Sequence, residues 1–211
     1  MAETIAVVDY GMGNLRSVAK ALSHVAPKSN IVITSGAAEI KAADRIVFPG
    51  QGAARDCMKH LQSYELKEVV SDAFRNKPFL GICMGLQVLF EHSQENNGVT
   101  CLGLVPGEVQ GFTKDPLRPF CKIPHMGWNR VQHNADHALW NNIDNGAHFY
   151  FVHSFFVVPE QLAWVAGETD YLTRFTSVIA LENVFATQCH PEKSADDGLQ
   201  LLHNFAHWKL T

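Results

Sequence analysis

The stretch Lys77-Pro-Phe-Leu-Gly-Ile-Cys-Met-Gly-Leu-Gln87 decides the fold. An apolar strand, Phe79 to Cys83, runs into Gly81-x-Cys83-x-Gly85, and the residues after it read as a helix. This is the thiol form of the Gly-x-Ser-x-Gly nucleophile elbow. A tight strand-to-helix turn forces the nucleophile into a strained conformation, and the flanking glycines remove side-chain clashes. The sulfur is then expected over the end of a sheet. A helix N-terminus favours the thiolate, and the Met84 N–H is expected where a tetrahedral oxyanion would form. A bare buried cysteine is most often structural; the strand, elbow and helix around Cys83 raise the catalytic reading.

Working outward, the first half alternates apolar runs with helical periodicity. Ile5 to Asp9, Asn30 to Thr34 and Arg45 to Phe48 read as strands, and Leu15, Val18, Ala19 and Leu22 mark a helix over Asn14 to Val25. Continuous apolar strands separated by helices predict an open, mostly parallel sheet with flanking helices, an α/β fold. In the second half, Leu102–Phe112, Pro119–Ile123, Phe149–Val158, Trp164–Glu168 and Thr176–Gln188 read as strands with short turns, so additional antiparallel strands are expected there. Leu199, Leu201, Leu202, Phe205 and Trp208 mark a closing amphipathic helix. No repeat or linker interrupts the chain, and residues 1–211 read as one domain.

Composition agrees with a globular chain that can bury a substantial core: 46% of the 211 residues are hydrophobic and 18% charged. A net charge of −4 with scattered basic residues argues against nucleic-acid binding. The five cysteines contain no CxxC pair, which argues against a disulfide framework or zinc site. Met1-Ala2-Glu3-Thr4 has neither a basic region nor a cleavage site, and the longest apolar run, Phe149 to Val158, is too short to span a membrane. A cytoplasmic location without membrane attachment is expected.

Among eleven histidines, His133/His137 and His203/His207 sit four apart, as a helical metal pair would, but neither has a third ligand of the right kind, so no metal is expected. His190 differs. It closes an apolar strand in Phe185-Ala-Thr-Gln-Cys-His-Pro-Glu-Lys-Ser194, and Pro191 restricts it to an extended conformation. Glu192, two residues on, can hold the imidazole's tautomer as the acid of a triad does. Phe48-Pro-Gly-Gln-Gly52 follows the third strand, and its glycines can free backbone N–H groups for a ligand. Gly11-x-Gly13 is no dinucleotide fingerprint, because Arg16 occupies the third glycine position.

Together these motifs resemble the class I (triad) glutamine amidotransferases, over nearly the whole chain. The carriers are Val8 to Ser17, Phe48 to Gly52, Leu80 to Gln87, Lys122-Ile-Pro-His-Met-Gly-Trp-Asn129, Tyr150 to Ser154 and Gln188 to Ser194. The Pro124 to Asn129 segment resembles most the glutaminases that supply a cyclase of histidine biosynthesis. The resemblance implies that Cys83 forms a glutamyl thioester, with His190 and Glu192 completing the triad. It implies oxyanion donors at Met84 and at Gly50, Gln51 and Gly52, and it places Gly52, Gln87, Glu95, Ser154 and Phe155 around the bound L-glutamine. Asn14, Pro124, His125, Met126, Gly127, Trp128, Asn129, Tyr150 and Lys193 would face the partner near an ammonia exit. That partner would be a (β/α)8-barrel cyclase forming imidazole glycerol phosphate in a heterodimer, and no cofactor is implied. Three positions depart from the family pattern: Gln51 stands where a small apolar residue is frequent, Cys189 where Phe is usual and Phe155 where Tyr is common.

Overall fold

Four short strands line up first. In the computed structural model, which describes residues 2–210, β1 (Thr4–Val8), β2 (Asn30–Thr34), β3 (Arg45–Gly50) and β4 (Phe79–Cys83) are linked by α1 (Leu15–Val25), α2 (Ala37–Ala42), α3 (Ala54–Ser63) and α4 (Lys67–Asn76). Met1 and Thr211, the outermost residues of the expected domain and the start of the leader reading, lie outside the described residues. Cys83 passes directly into α5 (Met84–Gln87), followed by β5 (Phe90–Ser93) and β6 (Val99–Thr100). The second half comprises β7 (Val105–Gly111), β8 (His125–Arg130), β9 (Gln132–His133), β10 (His148–His153), β11 (Phe155–Pro159), β12 (Val165–Asp170), β13 (Arg174–Ala180) and β14 (Val184–Thr187), closed by α6 (Ala195–Ala206).

The main sheet has the order β2-β1-β3-β4-β14-β13-β11-β7-β5-β6, with β12 paired to β13 and β9 paired to β12. The five strands from β2 to β14 are mutually parallel. β13 then reverses direction against β14, and β11 against both β13 and β7. A separate antiparallel ribbon pairs β8 with β10. The expected open, mostly parallel sheet with antiparallel strands in the second half is what the chain forms.

Alternation along each central strand feeds two cores, because successive side chains point to opposite faces. Ala6, Val8, Ile46, Phe48 and Phe79 join Ile40, Met58, Leu61, Val70 and Phe74 of α2 to α4 on one face. Ile5, Val7, Val47, Leu80 and Ile82 join Val18 and Leu22 of α1 and Leu201, Leu202 and Phe205 of α6 on the other. A sheet covered on both faces needs apolar residues at consecutive strand positions, which is why these strands show no polar alternation.

Several expectations change. Pro119–Ile123 is not a strand: it lies in a loop turned by Arg118 N–H to Asp115 O (3.0 Å) and Cys121 N–H to Arg118 O (3.0 Å). Leu117 and Phe120 there are about nine-tenths exposed, so the apolar pattern has no core to face. Phe149–Val158 splits at Ser154 into β10 and β11, which belong to different sheets. Thr176–Gln188 splits at a tight hairpin in which Leu181 N–H bonds Val184 O (2.8 Å). The helix after Cys83 is a single turn, because the chain swings into β5 within a few residues.

Candidate active site

The parallel strands end together at one edge, where ligands gather in open α/β sheets. Cys83 is the last residue of β4 and has φ 55° and ψ −107°. A non-glycine residue at positive φ costs about 1–3 kcal/mol, so the surrounding packing must hold it there. The glycines around it show how. A Cβ on Gly85 would lie 1.8 Å from the Phe48 carbonyl oxygen, and one on Gly81 would lie 2.9 Å from the Ala186 Cβ. The one-turn α5 has little macrodipole, but its first N–H groups have no intrahelical acceptor, which leaves the Met84 N–H as a donor beside the sulfur. Gly50 pairs in register with Cys83 across β3 and β4, so the Gly50–Gln51–Gly52 loop starts next to the elbow. Gly52 has φ +88°, a conformation that favours glycine.

His190 reaches the site from the end of β14, the strand beside β4. It has extended backbone (φ −105°, ψ 95°), as Pro191 dictates. Its N–H bonds the Tyr150 carbonyl at 2.9 Å, and its own carbonyl accepts from Ser194 Oγ at 2.6 Å. Nδ1 lies 2.9 Å from Glu192 Oε1, with both side chains almost completely buried. A carboxylate there fixes the Nδ1–H tautomer and leaves Nε2 for the nucleophile; Nε2 is buried without a hydrogen-bond partner. Burial alone would lower the imidazole's pKa. The neighbouring Cys83 and Glu192 outweigh it and raise the value to about 10, so His190 is readily held as imidazolium.

A cavity of about 460 Å3 opens above Cys83, within the usual range of small-molecule sites. Gln51, Gly52, Met84 and His190 line it together with Cys83, and so do Gln87, Glu95, Ser154 and Phe155. The structure therefore gathers the sequence-derived substrate residues around one space. Gly50 and Glu192 lie behind this lining, where they shape the loop and hold His190. Gln87 donates Nε2–H to the Phe155 carbonyl and to Gln188 Oε1, both at 3.0 Å, while its own Oε1 is buried and free. Glu95 Oε2 accepts from the Ala54 N–H at 2.7 Å, tying the start of α3 to the cavity wall.

Sequence reasoning missed two residues. Gln188 is fully buried and donates Nε2–H to Cys83 Sγ at 3.6 Å. His153 lines the cavity, and its Nδ1–H donates to the Phe155 carbonyl at 2.8 Å. Burial pushes its pKa down to about 3, so it stays neutral. Both lie inside quoted motif segments; a polar side chain within an apolar strand end was the available signal.

The residues expected to face a partner divide. Met126 and Trp128 on β8 are more than half exposed. The Trp128 and Tyr150 rings meet edge-on at 6.2 Å, and Lys193 Nζ lies 5.7 Å from the centre of the Tyr150 ring. Pro124 and Lys193 also line the cavity mouth, so ribbon and cavity are continuous. Asn14 starts α1, just after Gly13, which packs against Gly50. Gly127 adopts φ +135° on the ribbon. His125 points inward instead of facing a partner: it is buried, stacked on Tyr171 at 4.0 Å, and its Nδ1 meets His153 Nε2 at 3.0 Å. The period-2 alternation of β8 forces this, since Met126 and Trp128 take the outer face. Asn129 is half-buried and donates Nδ2–H to the Asp170 carbonyl at 2.9 Å. The His133/His137 pair is not helical: His133 sits in β9, stacked on Trp140, and His137 caps a short turn at Ala138–Trp140.

The family model for class-I glutamine amidotransferases matches residues 6–208. Among curated proteins, the imidazole glycerol phosphate synthase subunit HisH of Thiobacillus denitrificans is 53% identical, covering 99% of this chain and 92% of its own. The protein of the same name from Hydrogenovibrio crunogenus is 55% identical, covering 97% of this chain and 96% of its own. Among solved structures, a Thermoplasma acidophilum protein described as a GMP synthase subunit superposes with TM-score 0.71 at 18% identity, covering 98% of this chain and 93% of that one. A glutamine amidotransferase structure superposes with TM-score 0.70 at 15% identity, over 95% and 98% of the two chains. At such identities the structural likeness speaks for the fold.

Proposed function

This chain belongs to the class-I glutamine amidotransferases, and from that premise we propose that its Cys83 cavity converts L-glutamine to glutamate and ammonia. It is the glutaminase subunit of imidazole glycerol phosphate synthase, in histidine biosynthesis. The observation that carries the residue roles is the arrangement of Cys83 at positive φ beside an imidazole whose Nδ1 is clamped by Glu192 and whose Nε2 is free.

In this reading His190 Nε2 takes the Cys83 proton, and the thiolate attacks the side-chain amide carbon. The Met84 N–H and the Gly50–Gln51–Gly52 loop receive the oxyanion; one such donor is worth about 3 kcal/mol of transition-state stabilisation. As the carbon–nitrogen bond breaks, the His190 imidazolium protonates the departing nitrogen, giving ammonia. Water then attacks the thioester, passes a proton to His190, and releases glutamate with the thiol restored. The raised pKa of His190 fits the acid half of this cycle. Gly52, Gln87, Glu95, Ser154 and Phe155 surround the substrate, and the free Gln87 Oε1 is an acceptor for its N–H groups.

The partner is a cyclase, which we read as a (β/α)8 barrel forming a heterodimer and docking on Met126, Trp128, Tyr150 and Lys193, with Asn14, Pro124, Gly127 and Asn129 around them. Among the described residues no helix is long and apolar enough to cross a membrane. We read residues 1–211 as one domain working in the cytoplasm, where its five free thiols stay reduced. A glutaminase running alone would waste glutamine, so the isolated chain is expected to be nearly inactive and the partner to activate it. Glutamate release measured with and without the cyclase tests this: strong activation is expected, and equal rates would remove the gating. Cys83→Ala should abolish glutamine use while the assembled synthase still accepts added ammonia.

A further inference from the structure

Behind the Gly50–Gln51–Gly52 loop lies a buried pair of donors that the proposed mechanism does not use. Tyr10 is fully buried against Phe48, with ring centroids 5.3 Å apart, and its hydroxyl donates to the Pro49 carbonyl at 2.9 Å. Cys57 on α3 is also fully buried, and its Sγ donates to the Gln51 carbonyl at 3.7 Å. The two donors are themselves 3.8 Å apart. The packing is close: a Cβ on Gly50 would lie 2.3 Å from the Tyr10 hydroxyl and 2.8 Å from the Met84 Cβ. A peptide unit is planar and trans, so holding a carbonyl oxygen fixes the direction of the next N–H on its opposite side. Tyr10 thereby fixes the peptide whose N–H, that of Gly50, lies in the ladder between β3 and β4, and Cys57 fixes the peptide that carries the Gly52 N–H, so the free donors after the strand are held from both sides. Burial raises the pKa of both groups, Cys57 to about 12, so each keeps the proton it donates.

We propose that Tyr10 and Cys57 are positioning residues for glutamine hydrolysis: from beneath the loop they pin the carbonyls of Pro49 and Gln51, and so orient the backbone donors of the oxyanion site. The inference rests on the glutaminase reading and on the placement of the oxyanion at this loop. Neither residue touches substrate, so their removal acts on the transition state and not on glutamine affinity.

The test is steady-state glutamine hydrolysis by the complex with the cyclase, for Tyr10→Phe, Cys57→Ala and Cys57→Ser. Tyr10→Phe is expected to lower kcat by about tenfold and Cys57→Ala by about threefold, with KM for glutamine within about twofold of the unaltered protein. Cys57→Ser keeps a donor and should recover most of the Cys57→Ala loss, a rescue that a simple packing role would not give. Should Tyr10→Phe fail to fold, the Cys57→Ala and Cys57→Ser pair decides by the same comparison. Unchanged kcat in both Tyr10→Phe and Cys57→Ala, or a serine variant no better than alanine, would overturn the inference. Failure of the underlying reading looks different: the unaltered complex would then release no glutamate, or Cys83→Ala would release it normally.

Discussion

Gly85 is held to glycine by a backbone oxygen: the 1.8 Å approach of a Cβ to the Phe48 carbonyl cannot be relieved by a side-chain rotation. Gly85→Ala is therefore expected to displace the elbow and reduce glutamine hydrolysis at least about a hundredfold, checked by assay alongside circular dichroism. Glu192→Gln leaves the shape of the clamp but removes its charge, and kcat should fall by orders of magnitude, as loss of a triad acid does. The His190–Glu192 pair also links stability to pH. Cys83 first and Glu192 after it raise the imidazole's pKa in the folded chain, so the stabilisation, of which Glu192 supplies a share, is complete below the ordinary value near 6.5 and is lost as pH rises toward about 10. Denaturant midpoints of the unaltered chain and of Glu192→Gln should therefore converge as pH rises from neutrality to about 10. Cys83, His190 and Glu192 were legible in the sequence because a nucleophile elbow and a His-Pro-Glu turn have local signatures. Gln188 and His153 left only the trace of a polar residue within an apolar strand end, and Tyr10 and Cys57 left none, because their roles depend on side chains or loops brought close only by the folded sheet.

Two strands were read to their exact ends: β4, which carries Cys83 and is buried throughout, and β2, a half-exposed strand at the edge of the sheet. The reading failed where an apolar run continues across a turn. Phe149 to Val158 is uniformly apolar apart from His153 and Ser154, yet it serves two sheets, and no local pattern marks the switch. The Pro119–Ile123 loop misled because apolar content without a facing layer does not make a strand. The helices over the sheet make a quantitative expectation. Leu22 of α1 is fully buried in the core shared with α6, so Leu22→Ala should destabilise the fold by about 2–5 kcal/mol in urea denaturation. The ribbon of β8 and β10 supplies a second. Its outer face carries Met126 and Trp128, and Trp128→Ala is expected to weaken cyclase binding at least about tenfold, read by titration calorimetry.

At the scale of the whole molecule, one sheet edge collects the elbow, the His-Pro-Glu turn and the loop after β3, with the exposed ribbon beside it, so the proposed chemistry and the proposed docking face share an opening. Buried histidines, at this edge and elsewhere, make the molecule acid-sensitive. Burial lowers the pKa of His125 and His137 to about 4 and of His153 to about 3. Each is neutral when folded and takes up a proton more readily when unfolded, so their stability contribution is full above about 6.5 and lost as pH falls toward the folded values. Stability measured by denaturant between pH 7 and about 4 should decline with net proton uptake on unfolding. The central claim, that glutamine is opened by a covalent bond to Cys83, is tested most directly by quenching the complex during turnover with L-glutamine and weighing the peptide that contains Cys83. A glutamyl mass on that peptide, present with glutamine and absent in Cys83→Ala, is the expected result. Undiminished glutamate release by Cys83→Ala, with no adduct on the unaltered chain, would contradict it.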